Sequence, residues 1–264
     1  IEKIKSMNLE DLKLYPDPDV SKLREVIADY FSKKISEKFT KEQIFVGNGS
    51  DEVLALIFMT FFNKGDKVYY PDITYSFYPV YADLFDLKEI KVPLNKNFEI
   101  EIEKYFGLDG HIIITNPNAP TSIALKLEEI EKIAEKNPNQ LIVVDEAYVD
   151  FGAESAVKLV NKYDNVFVVQ TFSKSRSFAG MRLGYAIGSE NTIEGLNRLK
   201  FSFNSYTIDK ISIEAGIESF KDDDYFIKIN AKIIETRKKT VKKLKELEFK
   251  VLNSSANFIF ISVF

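Results

Sequence analysis

The sequence contains no cysteine and a single histidine, His111. The missing cysteines exclude disulfides, thiolate metal sites and a thiol nucleophile, and their absence fits a reducing, cytoplasmic setting. One imidazole is too few for a histidine-rich metal centre or a Ser-His-Asp triad. His111 stands at the head of an apolar run and reads as a strand-start residue, and no metal site is expected. Neither sign of charge dominates, since 36 Lys and Arg against 40 Asp and Glu leave a net −4. Nucleic-acid binding is therefore not expected as the main activity. No apolar run approaches the roughly 20 residues that span a bilayer. The start, Ile1-Glu2-Lys3-Ile4-Lys5, lacks the design of a signal peptide, and no membrane partner is expected. Any chemistry must come from Lys, Asp, Tyr, Ser or Arg side chains, or from a borrowed cofactor.

What is present describes a folded protein. With 45% hydrophobic residues over 264 positions, the chain is too apolar to be disordered and long enough for one large domain or two smaller ones. Helical spacing marks Ser21 to Ser36, Val53 to Phe62, Tyr75 to Phe85 and Leu127 to Lys136. Lys67–Tyr70, His111–Thr115, Leu141–Val144, Val166–Gln170 and Tyr185–Ile187 are short runs of the kind buried in parallel sheets. The alternation predicts an α/β fold with a mostly parallel central sheet covered by helices. From about Ile208 only helix is expected, ending in a long charged helix over Asp222 to Leu247 and a strand over Asn257 to Ser262. A domain boundary is placed near residue 222. The lysines of 238–245 are interleaved with Glu235, Glu246 and Glu248 and read as a solvated helix face. The apolar end, Ile259 to Phe264, reads as an unfinished strand, so the chain is expected to be a fragment of a longer polypeptide.

Four segments fall where open α/β sheets bind ligands. Ser173-Lys174 through Arg182 follows a strand. Its lysine can lie beside a ligand while Ser173 and Arg182 hold an anion; alone it can also be a surface loop. Asp145 closes an apolar strand, and a buried carboxylate there needs a partner, either a cationic ring nitrogen or a metal. Gly47-Asn48-Gly49-Ser50-Asp51-Glu52 offers a tight turn and a helix N-terminus, suited to an anion or simply capped. It is neither Gly-x-Gly-x-x-Gly nor a P-loop. Asn116 to Thr121 is a constrained turn at a strand's carboxyl end. Taken together they supply a phosphate cradle, a carboxylate and a lysine, which is what pyridoxal 5'-phosphate needs.

Tyr15-Pro16-Asp17 with Leu23-Arg24, Gly47 to Glu52, Pro71 to Tyr75, Asn116 to Thr121, Asp145 to Tyr148 and Ser173-Lys174 through Arg182 carry a family likeness. The sequence resembles the fold-type I pyridoxal-phosphate aminotransferases and, within them, the histidinol-phosphate aminotransferases, over roughly residues 15 to 190. The resemblance implies a pyridoxal-phosphate large domain over 20–222 and the start of a small α/β C-terminal domain over 223–264. A segment over 1–19 would contribute to a dimer and its active site. It implies transfer of an amino group between histidinol phosphate and 2-oxoglutarate, giving imidazole-acetol phosphate and glutamate.

Carried over by position, Lys174 is the Schiff-base lysine and the acid/base at the substrate Cα. Asp145 pairs with the pyridinium nitrogen, Tyr148 donates to the phenolic oxygen, and Tyr75 stacks on the ring. Ser50 and Asp51 amides, Ser173 and Arg182 grip the phosphate. Tyr15 matches a tyrosine that reaches the phosphate from the other subunit, which implies a homodimer with shared sites. The family's turn usually reads Asn-Pro-Asn-Asn-Pro-Thr-Gly; here Ala119 and Ser122 depart from it. Either Asn118 compensates at the phenolic oxygen or that bond is absent. An N-terminal arm and the lobe whose arginine holds the substrate's carboxylate or phosphate have no match. Two other readings share these motifs: a threonine-phosphate decarboxylase of cobalamin biosynthesis, and a non-catalytic cofactor-binding module.

Overall fold

A computed structural model of the chain describes residues 2–262. Seven strands form one sheet: β1 Ile44–Gly47, β2 Lys67–Pro71, β3 Lys88–Val92, β4 His111–Thr115, β5 Ile142–Asp145, β6 Val166–Thr171 and β7 Gly184–Ile187. Their spatial order is β1-β7-β6-β5-β4-β2-β3. Every pairing from β6 to β3 is parallel, whereas β7 runs antiparallel to both β6 and β1. The α/β architecture with a mostly parallel sheet is therefore as the sequence pattern predicts.

Strand alternation divides the apolar residues between two faces. Ile112 and Ile114 of β4 join one core with Leu23, Ile27 and Phe31 of α2 (Ser21–Ile35) and Ile130 and Ile133 of α5 (Leu127–Lys136). Ile213, Ile217 and Phe220 of α7 (Lys210–Lys221) complete that side. The single turn of α1 (Glu2–Lys5) lies against α7, where Lys3 pairs with Glu214 at 3.3 Å. Ile113 and Val143 face the other way. There they meet Val53, Leu54, Ile57 and Phe58 of α3 (Ser50–Phe61), Tyr78 and Tyr81 of α4 (Tyr78–Leu84), and Ile193 and Leu196 of α6 (Glu190–Phe203). Both faces are dry, which is why the central strands are continuous apolar runs rather than alternating ones.

Several boundaries differ from the sequence pattern. The helix predicted over Tyr75 to Phe85 begins only at Tyr78, because Pro79 sits in its first turn and residues 76 and 77 form a separate turn. The helix predicted from Val53 starts at Ser50, directly after Gly49. The strand predicted over Asn257 to Ser262 shrinks to β9, Ile261–Ser262, paired with β8, Lys250–Val251. Ser254 turns the preceding segment by donating to the Phe258 carbonyl at 2.6 Å. Helix α8, Asp223–Glu246, is mostly solvated, and only Phe226 and Asn230 are buried on it. Residues 263 and 264 of the apolar end, and Ile1, lie outside the described residues. His111 does begin β4, and its Nδ1 accepts the Leu141 N–H at 3.0 Å.

Candidate active site

The carboxyl ends of β1, β2, β4, β5 and β6 and the start of β7 share one edge of the sheet, as the registers Thr115↔Asp145 and Thr171↔Gly184 require. A cavity of about 200 Å³ opens there, lined by Ser50, Asp51, Tyr75, Asp145, Tyr148, Ser173, Lys174 and Arg182, with Thr115, Ala119, Ala147, Thr171 and Ala179.

One end of the cavity is built for an anion. Gly49 precedes α3 with φ +86° and caps it without a side chain, so the amides of Ser50 and Asp51 head the first turn unpaired within the helix. Arg182 follows from the β6–β7 loop and closes over that turn. A Cβ on Gly49 would lie 2.6 Å from its Nη2, so at this φ another residue would strain the turn and push the guanidinium aside. Gly184 makes a second close approach, since a Cβ there would stand 2.3 Å from the Ser50 nitrogen. The Asp51 carboxylate accepts from the Tyr75 hydroxyl at 3.0 Å, which leaves its backbone N–H as what it offers the anion. Burial and the neighbouring Asp51 push the Tyr75 phenol up, so it stays a protonated donor.

The other end carries Asp145, 4% exposed at the tip of β5. Its Oδ2 accepts from the Tyr78 hydroxyl at 2.8 Å and its Oδ1 from the Ala147 N–H at 3.2 Å. Burial pushes the carboxyl up to about 6, against the pull of the Tyr78 and Ala147 bonds; Asp51 adds to the rise and Lys174 opposes it. Between the two ends Lys174 extends its ammonium 5.3 Å from the Tyr148 ring centroid. Tyr148 in turn packs edge-on against Phe258 at 4.9 Å. The next residue after Asp145, Glu146, points away. It accepts from Ser155 at 2.6 Å, the Ala156 N–H at 2.6 Å and Gln170 at 2.7 Å, and burial holds it up at about 7.

This chemistry fits pyridoxal phosphate. The helix start and Arg182 match a phosphate, a dehydrated carboxylate matches a protonated ring nitrogen, and an amine stands between them. Of the residues expected from sequence, Ser50, Asp51, Tyr75, Asp145, Tyr148, Ser173, Lys174 and Arg182 are brought together. Asn118 is not: it is buried behind the wall, donating to the Ile73 carbonyl at 2.9 Å and Thr121 at 3.1 Å while accepting from Thr74 at 2.8 Å. With its amide spent on the turn it does not compensate for Ala119, which is what the cavity meets. Tyr15 is 77% exposed and stacks on Tyr206 at 4.5 Å, away from its own chain's cavity.

Sequence reading missed Tyr78, Thr115 and Thr171. Tyr78 lies three residues after Tyr75 at the start of α4, and Thr115 closes β4 in register with Asp145, so strand-end position was the available signal.

Residues 2–264 match the family described as aminotransferase class I and II. The chain is 57% identical over 256 residues to the histidinol-phosphate aminotransferase of Brachyspira hyodysenteriae, covering 97% of this chain and 71% of that protein. It is 52% identical over 260 residues to that of Acinetobacter baumannii, covering 98% and 70%. The fold superposes on the crystal structure of histidinol-phosphate aminotransferase from Sinorhizobium meliloti in complex with pyridoxal-5'-phosphate. There the TM-score is 0.88 at 22% identity, over 98% of this chain and 70% of that one. Aspartate aminotransferase from Thermotoga maritima gives a TM-score of 0.88 at 24% identity, over 100% and 74%.

Proposed function

The chain belongs to the class I and II aminotransferases, and on that premise we propose that it is a pyridoxal-phosphate-dependent transaminase acting between histidinol phosphate and 2-oxoglutarate. The observation that carries the reading is the convergence of Lys174, Asp145, Arg182 and the start of α3 on one cavity, in a chain 57% identical to a protein of that name.

When bound, pyridoxal phosphate supplies an aldehyde that condenses with amines and a ring that draws electrons from the substrate Cα. The chain's own residues do the rest. Lys174 holds the amine that can attach the cofactor and can carry a proton to and from the substrate Cα. Asp145, as a carboxylate, would keep the ring nitrogen protonated. Tyr148 is placed to donate to the phenolic oxygen, and Tyr75 to cover the ring. Ser50 and Asp51 amides, Ser173 and Arg182 would hold the phosphate and so orient the cofactor toward Lys174.

We read the 1–19 segment as the part that meets a second copy, 20–222 as the cofactor domain and 223–264 as the first part of a smaller domain. This division is supported by the break between α7 and α8 at Asp222 and by the separate β8–β9 pair. A homodimer with shared sites is supported by exposed apolar side chains near Tyr15 in the sequence and on α3, α4 and α6, among them Leu14, Met59, Val80 and Phe203. A cytoplasmic location is supported by the absence of cysteine; no described helix is long and apolar enough to cross a membrane.

The test is a half-reaction screen. The chain is loaded with pyridoxal phosphate and its visible absorbance followed as glutamate, histidinol phosphate and threonine phosphate are added in turn. Bleaching by glutamate with release of 2-oxoglutarate, and by histidinol phosphate, is expected. Carbon dioxide release from threonine phosphate without any glutamate dependence would overturn the assignment.

A further inference from the structure

Beneath Asp145 runs a chain of hydroxyl groups that the aminotransferase reading does not use. The Tyr78 oxygen is 2.8 Å from Asp145 Oδ2 and 2.6 Å from Thr115 Oγ1, and Thr115 Oγ1 is 3.1 Å from Thr74 Oγ1. Thr74 donates to Asn118 Oδ1 at 2.8 Å. The orientation of Asn118 is set, because its amide nitrogen donates to Ile73 and Thr121. Its oxygen must then be an acceptor, which commits the single hydrogen of Thr74. An ionised Asp145 can only accept, so the hydrogen of Tyr78 is directed at it, and Thr115 donates to Tyr78 along the shorter of its two contacts, with Thr74 Oγ1 as its other acceptor. Tyr78 is fully buried, so this contact is made inside the protein rather than in bulk water.

We propose that Tyr78 is a positioning residue for Asp145: its hydroxyl, oriented by the Thr115–Thr74–Asn118 chain, fixes the carboxylate and gives its charged form a hydrogen bond on the side turned away from the cavity. The alternatives for this role are few. Asp145 also faces Asp51 at the start of α3, whose like charge disfavours ionisation, and Lys174 across the cavity, which favours it. Tyr75 and Tyr148 line the same space, and neither contributes a hydrogen bond to the carboxylate. Ala147 donates a backbone N–H that any residue at 147 but proline would give. Tyr78 is the side-chain donor.

The experiment uses the full chain with Tyr78→Phe, Asp145→Asn and the double variant. Tyr70→Phe serves as the control, since Tyr70 is a buried tyrosine beside Tyr78 whose hydroxyl goes instead to Glu89. Two readouts are taken across pH 4.5 to 8: the affinity for pyridoxal phosphate, and the urea midpoint of the cofactor-free chain. Tyr78→Phe is expected to move the Asp145 titration seen in both readouts upward by about one pH unit or more, the size of a hydrogen bond to a charged group. Tyr70→Phe is expected to leave it in place, and adding Tyr78→Phe to Asp145→Asn to produce no further pH-dependent change. An unmoved titration in Tyr78→Phe, or an equal movement on the Asp145→Asn background, overturns the proposal. The role rests on the pyridoxal-phosphate reading only for the binding arm. A chain that binds no cofactor sinks that reading, whereas the unfolding arm still decides whether Tyr78 sets the state of Asp145.

Discussion

Replacing Asp145 by Asn should make the cofactor-free protein more stable at neutral pH, although it removes a residue placed at the centre of the site. The reason lies in burial. The carboxyl is 4% exposed, and burial lifts it from its ordinary 3.8 to about 6. A rise of that size means that holding the ionised form in the empty site costs about 3 kcal/mol above pH 6. The sign follows directly. Because the folded value lies above the unfolded one, the group's favourable contribution is complete below about pH 4 and is lost as pH rises through about 6.

The amide introduced by Asp145→Asn has no charge to desolvate, and it retains both local bonds. Its oxygen can accept from the Ala147 N–H, and its nitrogen can donate to Tyr78, which then turns its hydrogen to Thr115 at 2.6 Å while Thr115 turns its own to Thr74 Oγ1 at 3.1 Å. The assay is urea unfolding of both cofactor-free chains at pH 4.5 and pH 8. The stability difference in favour of the variant should grow by about 2 kcal/mol between those pH values. Other titrating groups cancel in the comparison. A difference that is flat with pH, or that shrinks towards pH 8, refutes the argument. With pyridoxal phosphate the ranking should reverse, because the ring nitrogen then needs the charge.

Lys174→Ala should lose transaminase turnover by several orders of magnitude while still binding phosphate-bearing ligands, as read by a glutamate-to-2-oxoglutarate assay beside a binding titration. Arg182→Lys should weaken pyridoxal phosphate about tenfold or more but leave the weak binding of pyridoxal, which has no phosphate, unchanged; equal losses for both ligands would contradict the phosphate role. Gly49→Ala, at φ +86° and against Arg182, should cost about 1–2 kcal/mol in urea unfolding and lower cofactor affinity as well. Mixing Tyr15→Ala chains with Lys174→Ala chains should restore part of the turnover that each lacks alone, provided that sites are shared across a dimer.

Much of the site was legible because its residues sit at punctuation. Asp145 ends an apolar run, Gly49 opens one, and Lys174 follows a third, so strand and helix ends were visible as changes of composition. The outer strands were not. Lys88-Glu89-Ile90-Lys91-Val92 is mostly exposed and charged, which hides β3 from any search for apolar runs. Strand β1 is only four residues long and merges into the glycine turn after it. The antiparallel course of β7 is a matter of connection, which the Phe172 to Leu183 loop settles by returning to the same edge of the sheet. Asn118 misled for a related reason. An asparagine beside a cavity looks like a ligand, but the turn itself has backbone and hydroxyl groups in need of partners, and here they claim the amide.

The position of β1 bears on how the protein is made. β1, at residues 44–47, has one neighbour in the sheet, β7 at 184–187. Its backbone edge cannot be satisfied until about 140 further residues have been synthesised, which takes roughly 7 to 28 s at ribosomal rates of ~5–20 residues per second. The helix start at Ser50 therefore waits for its Arg182 counterpart until most of this stretch of chain exists. The anion end of the cavity is completed late, by a pairing of high sequence separation, while β4, β5 and β6 add one after another as they emerge. Free pyridoxal phosphate cannot template the first half of the chain; it can capture only a sheet that has already closed at β1.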